Sequence, residues 1–400
     1  MDQQKAPRVD GVTYDQAMRA AADLVPLLKD EAAQGDEQRS MPDAVAAELR
    51  RTGLLRFLQP KAWGGMELEF VSWVDIPEML ARGDCSVAWN VANLASHHRT
   101  LSLFSDEAQR EVWEDDPDAL IASGIAYQFG RAKKVDGGYQ LSGKWPFCSA
   151  VVGAKWNILA AIVMEDDKPV DWVQCLLPEG EYEVLDDWHT LGMRGTGSNT
   201  CVVSDLFVPE HRVESMAIGL PGHNFRGVKA NPNPMYRIPT SALGASGLAG
   251  CVIGASQAAL DAMIEWIKVR STNYTGSTMR DFQTVQLRIG MAGARIDAAR
   301  LILRNDCLEA EKTALAGEPV SIETRLRYKR NICLAARMAT EATEMLFEMA
   351  GANGIYDTSP MQRIYRDVKS ASTHIHFSTD MQMTTWGNVA LGGEFKSPTM

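Results

Sequence analysis

The feature that most constrains this chain is a change of hydrophobic period near Ala119 that reverses near Arg212. Before it, apolar residues recur at helical spacing. Within it, short apolar runs are cut by Gly, Pro, Asp and Asn, and after it long helical patterns return. A chain of this kind reads as an α+β fold in three parts: a helical arm over 1–118, a β domain over 119–215, and a loop plus helical bundle over 216–400. In the middle part, 120–125, 155–164, 172–177 and 200–208 read as strands, and six or more are expected. Asp136-Gly137-Gly138 reads as a tight hairpin, because these residues tolerate positive φ between two half-buried runs.

In the first arm, 14–38 is helical with Pro26 as a kink or break, Pro42 suits the first turn of a second helix, and Gly53 suits its end. Helical spacing resumes in VSWVDIPEMLARGD, SVAWNVANLASHHRTLSLF and DEAQREVW. The loop over 216–239 is long enough for a lid or binding role. Beyond it, 240–270, 279–316, 321–350 and 360–389 read as four long helices, hence a four-helix bundle. Small residues in the first of them (Ala242, Gly244, Ala245, Gly247, Gly250) allow close approach of a helix or of a cofactor.

Composition removes several function classes. The net charge of −11 with scattered basic residues argues against nucleic acid or an anionic membrane as partner. Seven cysteines without a CxxC pair suggest neither a disulfide framework nor a zinc site, and a reducing cytoplasm is expected. The most apolar stretch, 242–260, is interrupted by Gly and Ser and reads as a buried helix rather than a membrane span.

Two stretches could carry chemistry. In LSGKWPFCSA, strand alternation would put Trp145, Phe147 and Ser149 on one face, either to hold a flat ligand or to fill a core. GMRGTGS leads into a strand, not a helix, so a dinucleotide or phosphate-loop reading fails on context; it is either a plain turn or a ligand contact through Thr196 and Ser198. Among the seven histidines, His97 and His98 are adjacent and point apart on a helix, as His374 and His376 do if helical. There is no HExxH, so no metal is expected. The histidines are structural or serve acid–base work near neutral pH.

SGKWPFCSA, GMRGTGS, RSTNYTGSTMRDFQTVQ and GANGIYDTSPMQRIYRDVK, in this order, resemble the acyl-CoA dehydrogenase superfamily. Where dehydrogenases commonly carry a glutamate after the RD stretch, this chain has STHIHFSTD. With AWNVANLASHH, FLQPKAWGGMELEF, ASGIA, FCSA and the terminal SPTM, it is similar instead to the two-component flavin-dependent aromatic monooxygenases, such as the oxygenase component of 4-hydroxyphenylacetate 3-hydroxylase.

The resemblance implies an N-terminal helical domain, a central β-sandwich or barrel and a C-terminal four-helix bundle, assembled as a homotetramer. It implies reduced flavin (FMNH2 or FADH2), dioxygen, an aromatic substrate and a separate NAD(P)H-flavin reductase. Hydroxylation would proceed through a flavin C4a-hydroperoxide. By position, His97 and Ser123 would approach the substrate's phenolic oxygen and Ser149 the flavin N5. His374, taken as partly cationic near neutral pH, would assist oxygen activation. Trp145, Phe147, Thr196, Ser198 and Arg270 would contact the cofactor. The arginine that the family places before the first bundle helix has no counterpart, since Arg237 is nearby but Ser241 fills the slot. Two other classes fit the same fold: a dehydrogenase-type flavoenzyme with a relocated base, and a non-catalytic oligomer.

Overall fold

The computed structural model describes residues 7–216, 225–272 and 275–395. His223, the Asn273-Tyr274 pair of the RSTNYTG string and the terminal SPTM lie outside the described residues. The helical arm comprises α1 (Tyr14–Gln38), α2 (Asp43–Thr52), α3 (Ser72–Ala81), α4 (Cys85–Leu101) and α5 (Asp106–Trp113). Helix α1 starts on a capping box, Thr13 with Gln16, and continues through Pro26 without ending. Helix α4 starts on Asp84, whose carboxylate accepts from the Val87 N–H at 2.8 Å. Gly53, at φ 67°, ends α2 as a left-handed cap.

The β domain is one continuous mixed sheet of eight strands: β1 (Ile121–Gly124), β2 (Gly130–Val135), β3 (Gly138–Trp145), β4 (Trp156–Glu165), β5 (Lys168–Pro178), β6 (Glu183–Val184), β7 (Cys201–Pro209) and β8 (Val213–Ser215). The path runs β6-β7-β3-β2-β4-β5-β8, and β1 adds to β4 in parallel. The hairpin at Asp136-Gly137 joins β2 to β3, with Val135 opposite Gly138 and Gly137 at φ 75°.

The second helical part holds α6 (Thr240–Leu243), α7 (Ser246–Val269), α8 (Gln283–Leu315), α9 (Ile322–Ala350), α10 (Pro360–Ala371) and α11 (Thr379–Ala390). Helix α7 lies against α3 so closely that a Cβ on Gly247, Gly250 or Gly254 would stand 2.5, 2.7 or 2.0 Å from Trp73, the Val74 carbonyl or the Glu78 carbonyl. The small residues therefore serve helix approach rather than a cofactor. The stretch Ser241–Val269 is long and apolar enough to cross a membrane, yet 72% of its most apolar window is buried in the protein.

Two expectations about the bundle are corrected. The first long helix breaks between Leu243 and Ser246, and the last is two helices, α10 and α11, separated by residues 372–378. Ser372 and Thr373 turn their hydroxyls onto the carbonyls of Lys369 and Ser370, which satisfies the end of α10 from within. His374 and His376 thus lie in the break rather than on a long helix, His374 capping and His376 inside a single 3-10 turn (Ile375–Phe377), and their rings are 5.4 Å apart.

Candidate active site

Strand β3 ends at Trp145, so the expected face shared by Trp145, Phe147 and Ser149 does not exist. Trp145 is fully buried in the sheet core and its indole N–H donates to the Ala160 carbonyl at 2.7 Å. Beyond it the chain turns, with Phe147 and Ala150 in the left-handed region at φ 65° and 59°. Non-glycine residues there cost about 1 kcal/mol or more each, so the turn is held by its surroundings. The Cys148 N–H donates to the Asn199 carbonyl at 3.2 Å and the Ala150 N–H to the Thr196 carbonyl at 2.9 Å. Phe147 is left 68% exposed, its ring edge-on to Trp188.

The turn at Ser149 is zipped in this way to the GMRGTGS turn, whose hydroxyls reach it. Ser149 Oγ lies 2.8 Å from Ser198 Oγ, Ser198 Oγ lies 2.6 Å from Thr196 Oγ1, and Thr196 Oγ1 donates to the Met193 carbonyl at 2.8 Å. Thr196 and Ser198 are buried and face one another, so their hydroxyls reach the exposed side of the turn only through Ser149. Ser149 is half-buried.

Backbone packing fixes this turn against α10. A Cβ on Gly192 would lie 2.3 Å from the Arg366 carbonyl oxygen, so only glycine fits. Met193, at φ 57°, donates its N–H to Asp367 Oδ1 at 2.6 Å. Burial, with Asp84 and Asp36 nearby, pushes the Asp367 carboxyl up to about 7 against the opposing Met193 N–H and Arg366. Arg366 itself grips the Leu191 carbonyl at 2.7 Å and pairs with Asp36. Asp367, Met193 and Trp188 were not singled out in the sequence; the string RD before VK was the available signal for the first.

On the other side, His97 Nδ1 lies 2.6 Å from the Ile121 carbonyl and Nε2 lies 2.8 Å from Ser123 Oγ. A carbonyl only accepts, so Nδ1 carries the hydrogen. Burial lowers His97 to about 4, which leaves Nε2 bare and makes Ser123 the donor to it. Ser123 Oγ keeps its lone pairs for another partner. His98 points elsewhere, stacked on Trp113 and lowered to about 3 by burial.

Helix α4 and strand β1 join the two sides. Gly124, next to Ser123, packs so tightly that a Cβ would stand 2.8 Å from Trp145 and 3.1 Å from Cys148, the residue before Ser149. Earlier on α4, Trp89 meets His374 edge-on at 5.5 Å, and Asn90 Nδ2 reaches the Gly195 carbonyl at 3.4 Å with its own Oδ1 buried and without a partner among the described residues. Trp89 and His97 are eight residues apart, roughly 12 Å along the helix axis. His374 is half-buried and lowered to about 4 by desolvation. It is a neutral imidazole at pH 7, which corrects the expectation of a partly cationic side chain. Arg270 ends α7 with its guanidinium over Trp266, and Arg237 is exposed. Among the described residues no group of three or more His, Cys, Asp or Glu is placed to hold a metal.

An exposed aromatic ring beside a hydroxyl row, with an unpartnered amide oxygen on the neighbouring helix, suits a flat polar-edged ring such as flavin. Comparison with known proteins agrees. The family model described as acyl-CoA dehydrogenase, N-terminal domain, matches 16–115, and that described as acyl-CoA dehydrogenase, C-terminal domain, matches 246–379. The chain is 33% identical to the flavin-dependent monooxygenase oxygenase subunit HsaA of Rhodococcus jostii, over 94% of this chain and 97% of that one. It is 33% identical to the oxygenase component of the FADH(2)-dependent resorcinol hydroxylase of a Rhizobium species, over 94% of each. The crystal structure of 3-HSA hydroxylase from Rhodococcus sp. RHA1 superposes with a TM-score of 0.90 at 32% identity, covering 96% of this chain and 99% of that one.

Proposed function

This chain belongs to the flavin-dependent monooxygenases of the acyl-CoA dehydrogenase fold, and from that membership we propose that it hydroxylates a phenolic ring. Reduced flavin, when bound, supplies the electrons that activate dioxygen. The observation that carries the substrate side is the polarity of the Ser123–His97 pair. With its hydrogen committed to His97 Nε2, Ser123 Oγ offers only lone pairs, and a phenolic O–H is the donor it would receive. As oxygen enters the ring, the phenolic O–H becomes strongly acidic. A base held near 4 then suffices to draw its proton through Ser123 to His97.

The cofactor's ring is assigned to the face with Phe147 and Ser149, where Ser149 would hold the N5 hydrogen. His374, neutral against Trp89, would offer a hydrogen-bonding nitrogen to developing oxygen charge. FADH2 is favoured over FMNH2 by the cofactor named for the resorcinol hydroxylase. A separate NAD(P)H-flavin reductase is required because the names of the similar proteins describe oxygenase subunits and components. Seven buried free cysteines support a reducing, cytoplasmic setting, and exposed leucines on α8 support a homotetramer.

The test supplies enzymatically reduced FAD with a panel of phenols and indoles under 18O2. A phenol carrying one labelled oxygen is expected. If the protein binds reduced flavin yet oxygenates none of the panel, the oxygenase reading of this site is lost.

A further inference from the structure

Each hydroxyl in the row that ends at Ser149 has one hydrogen to give, and the row is terminated by a group that can only accept. Two oxygens 2.8 Å apart need a hydrogen between them, so the Thr196 hydroxyl hydrogen lies on the Met193 carbonyl. Thr196 Oγ1 is then the acceptor in its 2.6 Å contact with Ser198, and Ser198 donates. Having spent its hydrogen, Ser198 is the acceptor in the 2.8 Å contact with Ser149, and Ser149 donates. The polarity of the whole row is fixed from one end. What Ser149 presents outward is lone pairs.

We propose that the Thr196–Ser198 pair is the device by which this protein prefers reduced over oxidised flavin. The proposal rests on the assignment of Ser149 to the flavin N5. Reduced flavin carries a hydrogen on N5 and matches the outward lone pairs of Ser149. Oxidised flavin has a bare N5, which accepts. To serve it, Ser149 must turn its hydrogen outward, Ser198 must donate to Ser149, and Thr196 must donate to Ser198. The Met193 carbonyl then loses the Thr196 hydroxyl. It keeps the Trp188 indole N–H at 3.0 Å and the Thr196 backbone N–H at 3.2 Å, both unaffected by the reversal. The preference therefore equals the cost of lifting one buried hydroxyl hydrogen from its carbonyl, on the order of tenfold in affinity ratio.

Thr196 and Ser198 are buried at 1% and 4% exposure and meet the ring only through Ser149. They are positioning residues, and the readout is a ratio of binding constants rather than turnover. Oxidised FAD and dithionite-reduced FAD are titrated anaerobically into the intact protein and followed by tryptophan fluorescence. The parent should bind reduced FAD the more tightly. Thr196→Val keeps the shape but unhooks the row from Met193, so reversal costs nothing and the ratio should fall by about tenfold towards unity. Ser198→Ala, which cuts the row in the middle, should do the same, while Thr196→Ser should restore the parental ratio. A Thr196→Val protein with the parental ratio overturns the proposal and leaves the flavin site standing. A parent that binds neither form of FAD overturns the site assignment and the proposal with it.

Discussion

At the residue scale, one buried carbonyl orders a row of three hydroxyls and one buried imidazole orders a fourth. Ser149, Thr196 and Ser198 come together although 49 and 47 positions separate Ser149 from Ser198 and Thr196, and His97 meets Ser123. The role of Trp145 was not legible. Alternation presumes that a strand continues, and the left-handed φ of Phe147 ends it at a place where composition gives no glycine to announce the turn. The charge of His374 was not legible either, because desolvation by distant segments sets it. Two outcomes are expected. Ser149→Ala should still bind reduced FAD but release roughly two- to tenfold more peroxide per product, for the loss of one hydrogen bond; unchanged coupling removes Ser149 from the flavin edge. His97→Ala should cut product formation by about a hundredfold while flavin oxidation continues. In the parent, the His97 contribution to the pH profile is fixed by its folded value near 4, so it should be level from pH 6 to 9 and fall only well below 6. A titration of single-turnover yield centred near 6.5 that vanishes in His97→Ala contradicts the assigned burial.

At the element scale, α10 does for the GMRGTGS turn what the sheet does for Trp145: it fixes a backbone that would not hold itself. Helical periodicity placed the segment but could not show its end. Apolar spacing runs on through 372–378, and the stop comes from Ser372 and Thr373 bonding back to their own helix. The glycines of GMRGTGS were legible as a turn. Their purpose, contact of Gly192 with the Arg366 backbone, required knowing that residues 174 apart are neighbours. Asp367 is the node, joining the turn that ends at Ser149 to the segment that leads to His374. Asp367→Ala should leave the Met193 N–H buried without an acceptor, costing about 1–3 kcal/mol of stability, and should speed hydrogen exchange at 192–198 without flavin present. Asp367→Asn retains an acceptor and should restore the protection. The two also differ in pH dependence. A carboxyl held near 7 when folded and near 4 when unfolded gives stability that is full below about 4 and is lost as pH rises through about 7. The unfolding midpoint of Asp367→Asn should therefore gain on the parent's between pH 5 and 8. A constant difference across that range would show that Asp367 is not buried beside Asp84 and Asp36 as described.

At the scale of the whole molecule, the order helical arm, sheet, bundle was legible because the hydrophobic period changes only twice along the chain. Assembly is the feature a single chain leaves to argument, and α8 supplies it. One face of this helix (Ala292, Ile296, Ala299, Leu303, Cys307, Ala310, Ala314) is buried in the bundle. A second carries Arg300 and Arg304, which pair with Glu78 and Asp75 of α3 and tie the two helical parts together. A third presents Leu287, Leu301, Leu308 and Leu315 at 62%, 67%, 49% and 68% exposure. Their spacing in multiples of seven keeps them on one stripe, with a drift of only about 20° per heptad. Leucine so placed costs about 1.5–3 kcal/mol each if left in water rather than buried, and a second copy of the same helix is a self-complementary cover. One such two-fold contact pairs two copies, and the expected species in light scattering is a homotetramer, a pair of such pairs. Leu301→Glu with Leu308→Glu should yield a smaller particle with unchanged helical circular dichroism, because neither side chain contributes to the core of its own chain. A parent that runs as a monomer at micromolar concentration, or a double variant that stays tetrameric, would place the interface on another surface and leave the α8 stripe unexplained.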